Sequence, residues 1–584
     1  KIEISSVNSG SVNFQETENG LTFGYNDAVS YQDITLSEQA LLNTSGEGQG
    51  AISLTGKNVS LFNGSFLLNQ NRGNVNSGDI SINAFESLNL SETSPDGKIS
   101  SSIRSESVSA GQASSINIST KQLSVLDDAQ IRTGTYSKAP GNNVTVDASD
   151  FVEIVNSTIS ASTFADGNGG NIKLATSQLQ VKDSGTITSS TIGTGNGGDV
   201  TVNANLIEVV GGSSTARSNI SASSFSTGNA SNLNIDTEQL KVQDGGSVSS
   251  SSFAEGDAGS VVVKASGSVE VDGINQNSSV SNPESSIKTA VQAASPGSQQ
   301  ALGLPALPTG NSGNLILDTP SLKISGQGNI SVENQGTGNA GTVSVDAKDV
   351  DLDNNGSITA TAASGNGGNI SLDTDNLQLF EGSQITAEAG NNGDGGNITI
   401  NTNTLIAKKN TQVTANAFDG RGGNLDINAK GLFLFDSPQN IFSASSELGI
   451  DGEIQINTPD LDLEKELEQS ELEILTTEEA ISSSCLARGK QQGSFTVNNS
   501  PGFPKSPDSN YSDLDSTLTG MRDLPTTVKQ PEAIDSNNQQ PKPSMLPASK
   551  MVETPDGRIF LVAAPYAKRY PLGQEPRSLV CPQN

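Results

Sequence analysis

The side chains in this sequence that could carry out chemistry are carboxylates. The chain has no His, so it cannot build a Ser-His-Asp or Cys-His arrangement or a His-ligated zinc site. Asp349, Asp351 and Asp353 alternate, which places them on one face of a strand. Convergent carboxylates, often with Ca²⁺, carry the chemistry of polysaccharide lyases and hydrolases. Alternating acids are also the ordinary make-up of a solvated strand. We therefore assign no catalytic, cofactor-binding or metal-binding residue and expect no enzyme.

A glycine-rich segment precedes many of the predicted strands. Residues 167–171 read Gly-Asn-Gly-Gly-Asn, and close copies stand at 195–199, 365–369, 393–397 and 420–424. Gly, Asn and Asp tolerate positive φ, so each copy is expected to make a sharp turn. The copies do not follow the nine-residue period of calcium-binding β-rolls. None ends in the Gly-Lys-Ser/Thr of a phosphate loop.

The first apolar residue after each turn marks the start of a repeat. Most successive starts lie 27 to 29 positions apart. The starts are Ile52, Ile80, Ile116, Val144, Ile172, Val200, Leu233, Val261, Leu315, Val343, Ile370, Ile398, Leu425 and Ile454. Three gaps are larger, and they follow Ile80, Val200 and Val261. The extra residues must form loops or one poorly marked repeat.

Within a repeat, apolar residues stand at the start and 2, 7, 9 and 15 positions after it, as in Ile172, Leu174, Leu179, Val181 and Ile187. Spacings of two indicate strands, and the breaks between them indicate turns, so each repeat is predicted to form three short strands. Three strands in about 28 residues are typical of one coil of a right-handed parallel β-helix. About 15 coils stacked at roughly 4.8 Å would make an all-β rod about 70 Å long.

Polar residues of the repeat are expected to stack as well. Asn and Asp at equivalent turns would form side-chain ladders, and Ser/Thr-rich third strands such as residues 186–190 would present rows of hydroxyls to water. Six Tyr, 17 Phe and no Trp leave few platforms for sugar rings. We expect most Phe side chains to face the core.

The repeats also define the domain organisation. The predicted divisions are irregular N-terminal coils or a truncated start over 1–45, the β-helix over 46–458, an acidic cap over 459–498, a Pro/Ser-rich disordered linker over 499–550 and a short hairpin over 551–584. Within the β-helix, residues 274–310 should leave the wall as an exposed loop, with a helical piece over 287–294. Because the chain starts at Lys1 without a signal-peptide pattern, we expect it to be a fragment.

Charge narrows the range of partners. The formal net charge is -32 and the isoelectric point is about 4.2. No stripe of Lys and Arg could neutralise phosphates, so nucleic acid is excluded as a partner. The same charge opposes docking on anionic lipid, and no apolar run is long enough to insert into a membrane.

The repeat over residues 46–458, with its Gly-Asn-Gly-Gly-Asn-Ile segments and Ser/Thr-rich third strands, resembles the filamentous haemagglutinin-like exoproteins of two-partner secretion systems. It is most similar to the cyanobacterial surface-layer or haemagglutination-activity branch, and the tail from Cys485 to Cys581 is similar as well. The resemblance implies a secreted or cell-surface adhesin, associated with the outer membrane and exported through an outer-membrane β-barrel partner. The N-terminal secretion domain that such a partner recognises is not found in this sequence. Cell-surface or polysaccharide ligands would be expected.

Two alternatives remain open: a polysaccharide-active lyase or hydrolase, and the stalk of a contact-dependent toxin. Cys485 and Cys581 bracket the tail. In an exported protein, a disulfide between them would add up to roughly 4 kcal/mol of stability in the chain-entropy model. Two unpaired thiols are the other interpretation.

Overall fold

The computed structural model of the 584-residue chain describes residues 1–17, 20–24, 30–279, 283–459, 550–553 and 559–562. The chain divides into two compact units, Lys1–Ser470 and Glu471–Asn584.

Long strands form the first wall of the first unit. They make a 16-stranded sheet in which each strand pairs in parallel with its equivalent one repeat away, as Ile172 does with Val144 on one side and Val200 on the other. The sheet also includes Ile34–Leu36, which pairs with the second long strand. The long strands are Ile2–Ser5, Ile52–Leu61, Ile80–Leu90, Ile116–Leu126, Val144–Val155, Ile172–Lys182, Val200–Val210, Leu233–Gln243, Val261–Asp272, Leu315–Ser325, Val343–Leu352, Ile370–Leu379, Ile398–Ala407, Leu425–Leu434 and Ile454–Asn457.

Short strands form the second wall, a parallel 14-stranded sheet with the same one-repeat register. The short strands are Leu41–Asn43, Phe66–Asn71, Ser102–Ser107, Gln130–Thr135, Thr158–Thr163, Thr186–Thr191, Asn219–Ser224, Ser247–Ser252, Ser286–Val291, Asn329–Asn334, Ser357–Ala362, Gln384–Thr386, Gln412–Thr414 and Phe442–Ser443. The chain is therefore a parallel β-solenoid, as the repeat predicts. Every predicted repeat start is the first residue of a long strand.

Each coil contains one long and one short strand. The first two strands predicted for a coil are joined into the long strand, which carries a register shift near its middle in several coils. Between Ile116–Leu126 and Val144–Val155, for example, pairing passes from Thr120 with Ala148 to Gln122 with Phe151. A bulge of this kind bends a strand without ending it.

The core is the narrow space between the two walls. Ile172, Leu174, Leu179, Val181 and Ile187 are all buried, as the five-position pattern predicts. Equivalent residues stack on them from coil to coil to form one continuous cluster. Each buried aliphatic side chain of this size contributes about 1.5 to 3 kcal/mol relative to exposure. The structure thus obtains a large apolar core from a sequence that is only 33% hydrophobic.

The widest gap between repeats contains one coil with two insertions. Long strands Val261–Asp272 and Leu315–Ser325 pair directly, so no additional coil lies between them. The helix predicted over 287–294 is wrong, because Ser286–Val291 is a short strand paired on both sides. The helix of this region lies later, at Pro296–Leu302, with the Ser295 side chain as its N-cap. The predicted loop is therefore divided by a strand that stays in the wall.

The remaining elements flank the regular coils. Near the N-terminus, Val7–Ser9 pairs with Ser30–Tyr31, and Asn13–Thr17 pairs with Gly20–Gly24, both antiparallel. A short helix, Pro438–Ile441, precedes the last short strand.

In the second unit, Lys550–Glu553 pairs antiparallel with Ile559–Val562, where the sequence predicts a hairpin. The predicted cap, most of the linker, Cys485 and Cys581 lie outside the described residues.

Candidate functional site

Glycine corners, the Gly-Asn-Gly-Gly-Asn segments and their equivalents, connect each short strand to the next long strand. The side chains at the two Asn or Asp positions of a corner each accept a hydrogen bond from a backbone amide of the following coil. Asn168 Oδ1 accepts from the Asn196 amide at 3.0 Å, and Asn171 Oδ1 accepts from the Asp199 amide at 2.8 Å. The C-terminal coils repeat both bonds, for example from the Asn397 amide to Asn369 Oδ1 at 2.9 Å. The predicted ladders therefore exist, and they pair side chains with backbone.

The glycines of a corner are needed for close approach between coils. Positive φ angles occur at the opposite turn, as at Asp183 and Ser184, and not at the glycines of 167–170 or 195–198. A Cβ on Gly198 would lie 2.0 Å from the carbonyl oxygen of Gly170 in the preceding coil. The expectation of positive φ at this corner is wrong, because the limiting factor is the distance between backbones.

A buried hydroxyl closes the corner in several of the N-terminal coils. Ser189 Oγ donates to Gly170 O at 3.0 Å and accepts from the Gly198 amide at 3.1 Å. Ser250 makes the same pair of bonds in a later coil. In four C-terminal coils alanine takes this position, and the corner amide bonds directly to the alanine carbonyl, as from Gly396 to Ala387 at 3.2 Å. The hydroxyl side chains of the short strands, which correspond to the predicted third strands, thus point inward as well as to water.

The outer face of the short-strand sheet carries columns of small hydroxyl side chains. One column in register contains Ser160, Thr188, Ser221 and Ser249. Hydroxyls in neighbouring coils bond along it, as from Ser221 Oγ to Thr188 Oγ1 at 3.0 Å. The result is a regular surface of groups that both donate and accept hydrogen bonds.

An aromatic edge borders this face, formed by the residues that follow six successive short strands. Its members are Val108, Tyr136, Phe164, Ile192, Phe225 and Phe253. The rings of Tyr136 and Phe164 stack at 4.6 Å between centroids, and those of Phe225 and Phe253 at 4.7 Å. Among Phe residues of the described part, Phe442 is buried in the core, whereas several others are exposed. The expectation that most Phe face the core is therefore wrong.

The predicted acidic candidates lie on the outer face of the long-strand sheet. Asp349 and Asp351 belong to Val343–Leu352, and Asp353 follows it. Asp349 Oδ1 accepts from Asn376 Nδ2 at 2.8 Å. Asp351 is in register with Lys323 of the preceding coil. The structure therefore places Asp349 and Asp351 in side-chain rows that run along the solenoid, whereas Asp353 lies in the turn after the strand and accepts a hydrogen bond from the Asn354 amide.

The row that contains Asp351 alternates in charge over five coils. Its members in order are Glu208, Lys241, Glu270, Lys323 and Asp351. Lys241 Nζ lies 3.7 Å from Glu208 Oε1. Partial burial raises the pKa of Asp351, the charges of Asp349 and Asp353 raise it further, and Lys323 lowers it. Opposite charges in register attract one another, but at Asp351 partial burial and the two neighbouring aspartates outweigh the attraction of Lys323.

We expect Asp351→Asn to raise the melting temperature at pH 7. The folded-state pKa of Asp351 is raised above the ordinary value of 3.8, so the folded state binds more protons between the two values and loses stability as the pH rises through them. The neutral amide avoids that loss, and the difference between variant and wild type should vanish at a pH below 3.8. Thermal unfolding at both pH values measures it. A lower melting temperature for the variant at pH 7 would show that the row requires the charge.

A trough of 840 Å³ runs along the same sheet over the C-terminal coils. Asp318, Asp346 and Asp373 stand in one row in register, followed by Asn401 and Asn428. Asn401 Nδ2 donates to Asp373 Oδ1 at 2.8 Å, and Asn428 Nδ2 donates to Asn401 Oδ1 at 3.0 Å. The polar groups that line the trough are thus largely engaged with one another.

Among the described residues, no group of three or more Cys, Asp or Glu side chains is arranged to hold a metal ion. No helix in that part of the chain has the length and apolar character needed to cross a bilayer.

Comparison with known proteins adds one structural likeness. No family model matches the sequence, and no curated protein matches it. Among solved structures, the HMW1 secretion domain from Haemophilus influenzae matches 74% of this chain and 100% of its own length, at 15% identity and a TM-score of 0.36. The β-solenoid assignment rests on the parallel register of the two sheets.

Proposed function

We propose that this chain is a secreted or cell-surface structural protein that mediates adhesion, aggregation or matrix formation without catalysing a reaction. The observation that carries the proposal is the outer face of the short-strand sheet. Its hydroxyl columns and aromatic edge repeat at the spacing of the coils, so a surface or polymer could be contacted at many equivalent points. Repeated weak contacts give high avidity without a deep pocket.

The proposed route of export is two-partner secretion through an outer-membrane β-barrel. The support is the resemblance of the Gly-Asn-Gly-Gly-Asn-Ile repeat to exoproteins of that system. Fractionation of the producing cells would test it. Recovery of the protein from the medium or cell surface is expected, and its confinement to the cytoplasm would contradict both export and adhesion.

Adhesion itself can be tested with beads coated with the purified chain. Beads carrying the folded protein should bind cells or polysaccharide surfaces, and beads carrying the heat-unfolded protein should not. Equal retention of both would show that the ordered faces are not responsible.

A polysaccharide-active enzyme is the second candidate. The observation in its favour is the trough, where Asp346, Asp373 and Asp375 lie near Lys348 and Lys430. Acidic and neutral polysaccharides can be incubated with the protein, with and without Ca²⁺. Products that disappear in Asp373→Asn would establish the enzyme and displace the structural proposal.

A further inference from the structure

A groove of 430 Å³ crosses the outer face of the short-strand sheet beside the second part of the insertion. Its floor is formed by the hydroxyls of Ser221, Ser223, Ser249 and Ser251. Residues 292–298 border it on one side, and Arg217 lines it as well. The insertion therefore forms one side of the groove on the outer face of the short-strand sheet.

The groove contains a buried lysine. Lys288 is 7% exposed and lines the groove from the strand Ser286–Val291, in register with Ser249 and Ser331. Within the described part of the chain, its ammonium group makes no hydrogen bond or ion pair. Burial lowers the pKa of Lys288 and nearby Arg217 lowers it further, whereas Glu333 and Glu284 act in the opposite direction. The ammonium nitrogen is not among the fully buried polar atoms without a partner, so it remains accessible from the groove. A largely desolvated ammonium group without a direct protein partner is stabilised when an anion binds to it.

The edge of the groove away from Arg217 is apolar. Phe225 and Phe253 stack there and pack against a small cluster of Ala254, Ala294 and Leu304. Phe253 follows Ser249 by four residues, which corresponds to about 13 Å along a strand. A ligand that contacts both the ammonium group and the rings must therefore be extended.

The floor also restricts the type of ligand. Asn219–Ser224, Ser247–Ser252 and Ser286–Val291 are each paired in parallel on both sides. They leave no free strand edge to which a peptide backbone could add. Serine hydroxyls donate and accept hydrogen bonds, as sugar hydroxyls do, and aromatic side chains pack against the apolar faces of sugar rings.

We propose that the groove binds an acidic oligosaccharide, with a carboxylate or sulfate group at Lys288 and an adjoining sugar ring against Phe225 and Phe253. This inference rests on the proposed adhesive function and assigns it a ligand class. The net charge of -32 repels polyanions in general, so binding requires the local cation.

The test is solution binding of trigalacturonate and of a sulfated trisaccharide, measured by calorimetry on the full chain. Lys288→Met keeps the side-chain length and removes the charge, and it should weaken binding about tenfold or more, as expected for a lost charge-assisted hydrogen bond. Lys288→Arg should bind. Lys264→Met is the matched control, because Lys264 lies in the same coil and is exposed on the long-strand sheet.

Further comparisons decide the outcome. The methyl ester of trigalacturonate should bind at least tenfold more weakly than the acid, because it lacks the carboxylates. Binding of the acid should also weaken as the pH rises through the lowered pKa of Lys288. Equal binding of acid and ester, equal losses in Lys288→Met and Lys264→Met, tighter binding of a triglutamate peptide, or failure of both acidic trisaccharides to bind would each overturn the proposal.

Adhesion assays separate this inference from the broader function. If Lys288→Met abolishes trisaccharide binding and also weakens adhesion of coated beads, the groove is an adhesive site. Unchanged adhesion by Lys288→Met would leave the structural function standing and overturn the groove as its carrier.

Discussion

Gly198→Ala is expected to destabilise the solenoid by about 3 kcal/mol or more. The new methyl group would lie 2.0 Å from Gly170 O and 2.4 Å from Gly170 C, both backbone atoms of the preceding coil. Neither atom can move away without separating the two coils, and their separation would stretch the ladder bond from the Asp199 amide to Asn171 Oδ1. Denaturant unfolding followed by circular dichroism would measure the loss.

Gly197→Ala is the matched control for this prediction. The two glycines are neighbours in one corner and neither has a positive φ, so helix and turn propensities change equally. A Cβ on Gly197 has its nearest contact at 3.2 Å, the Ser231 amide nitrogen. We expect a cost of about 1 kcal/mol or less there. Similar losses for the two variants would refute the close-approach explanation of the corner.

The second large effect is expected for Ser189→Ala, at about 2 kcal/mol. The substitution removes a hydroxyl that is fully buried and leaves the Gly198 amide and the Gly170 carbonyl without their hydrogen bonds. An unsatisfied buried donor costs more than the bond itself contributes. Ser190→Ala is the control, because Ser190 lies on the outer face of the same strand and is partly exposed. Its change should stay within about 0.5 kcal/mol.

The C-terminal coils show an arrangement in which Ser189→Ala would cost no stability. There, alanine occupies the equivalent position and the corner amide bonds directly to the strand, as from Gly396 to Ala387. If Ser189→Ala proves neutral, the corner of that coil can shift to the same direct bond. A loss near 2 kcal/mol would show that the coil of Ser189 is fixed in the hydroxyl-bridged arrangement.

The sequence was sufficient to predict the coil. Alternation of apolar residues and the glycine corners placed the start of every long strand from Ile52 to Ile454, because strand periodicity and stacking act on the same residues. The earlier long strand Ile2–Ser5 was not predicted. The joining of two predicted strands into one was missed, since a bulge such as that between Thr120 and Gln122 needs no Gly or Pro. The strand Ser286–Val291 is not evident from the sequence, because both its faces are buried and the strand alternation is lost.

The groove was harder to infer from sequence. Lys288 is separated by 39 residues from Ser249, its partner in register, and an insertion on each side of its strand breaks the repeat. A signal was present nonetheless. Lysine stands at the third position of a short strand where neighbouring coils have Ser221, Ser249 and Ser331. A charged residue in a column of small hydroxyl side chains indicates that the outer face of the short-strand sheet carries a different kind of binding group at that coil.

The ladders of the glycine corners give the solenoid a chemical polarity. At each step the earlier coil supplies the side-chain acceptor and the later coil supplies the backbone amide, as with Asn369, Asn397 and the Asn424 amide. A coil therefore presents its ladder acceptors toward its C-terminal neighbour and its ladder donors toward its N-terminal neighbour. The two ends of a stack of such coils are thus chemically different, since one ends in side-chain acceptors and the other in backbone donors.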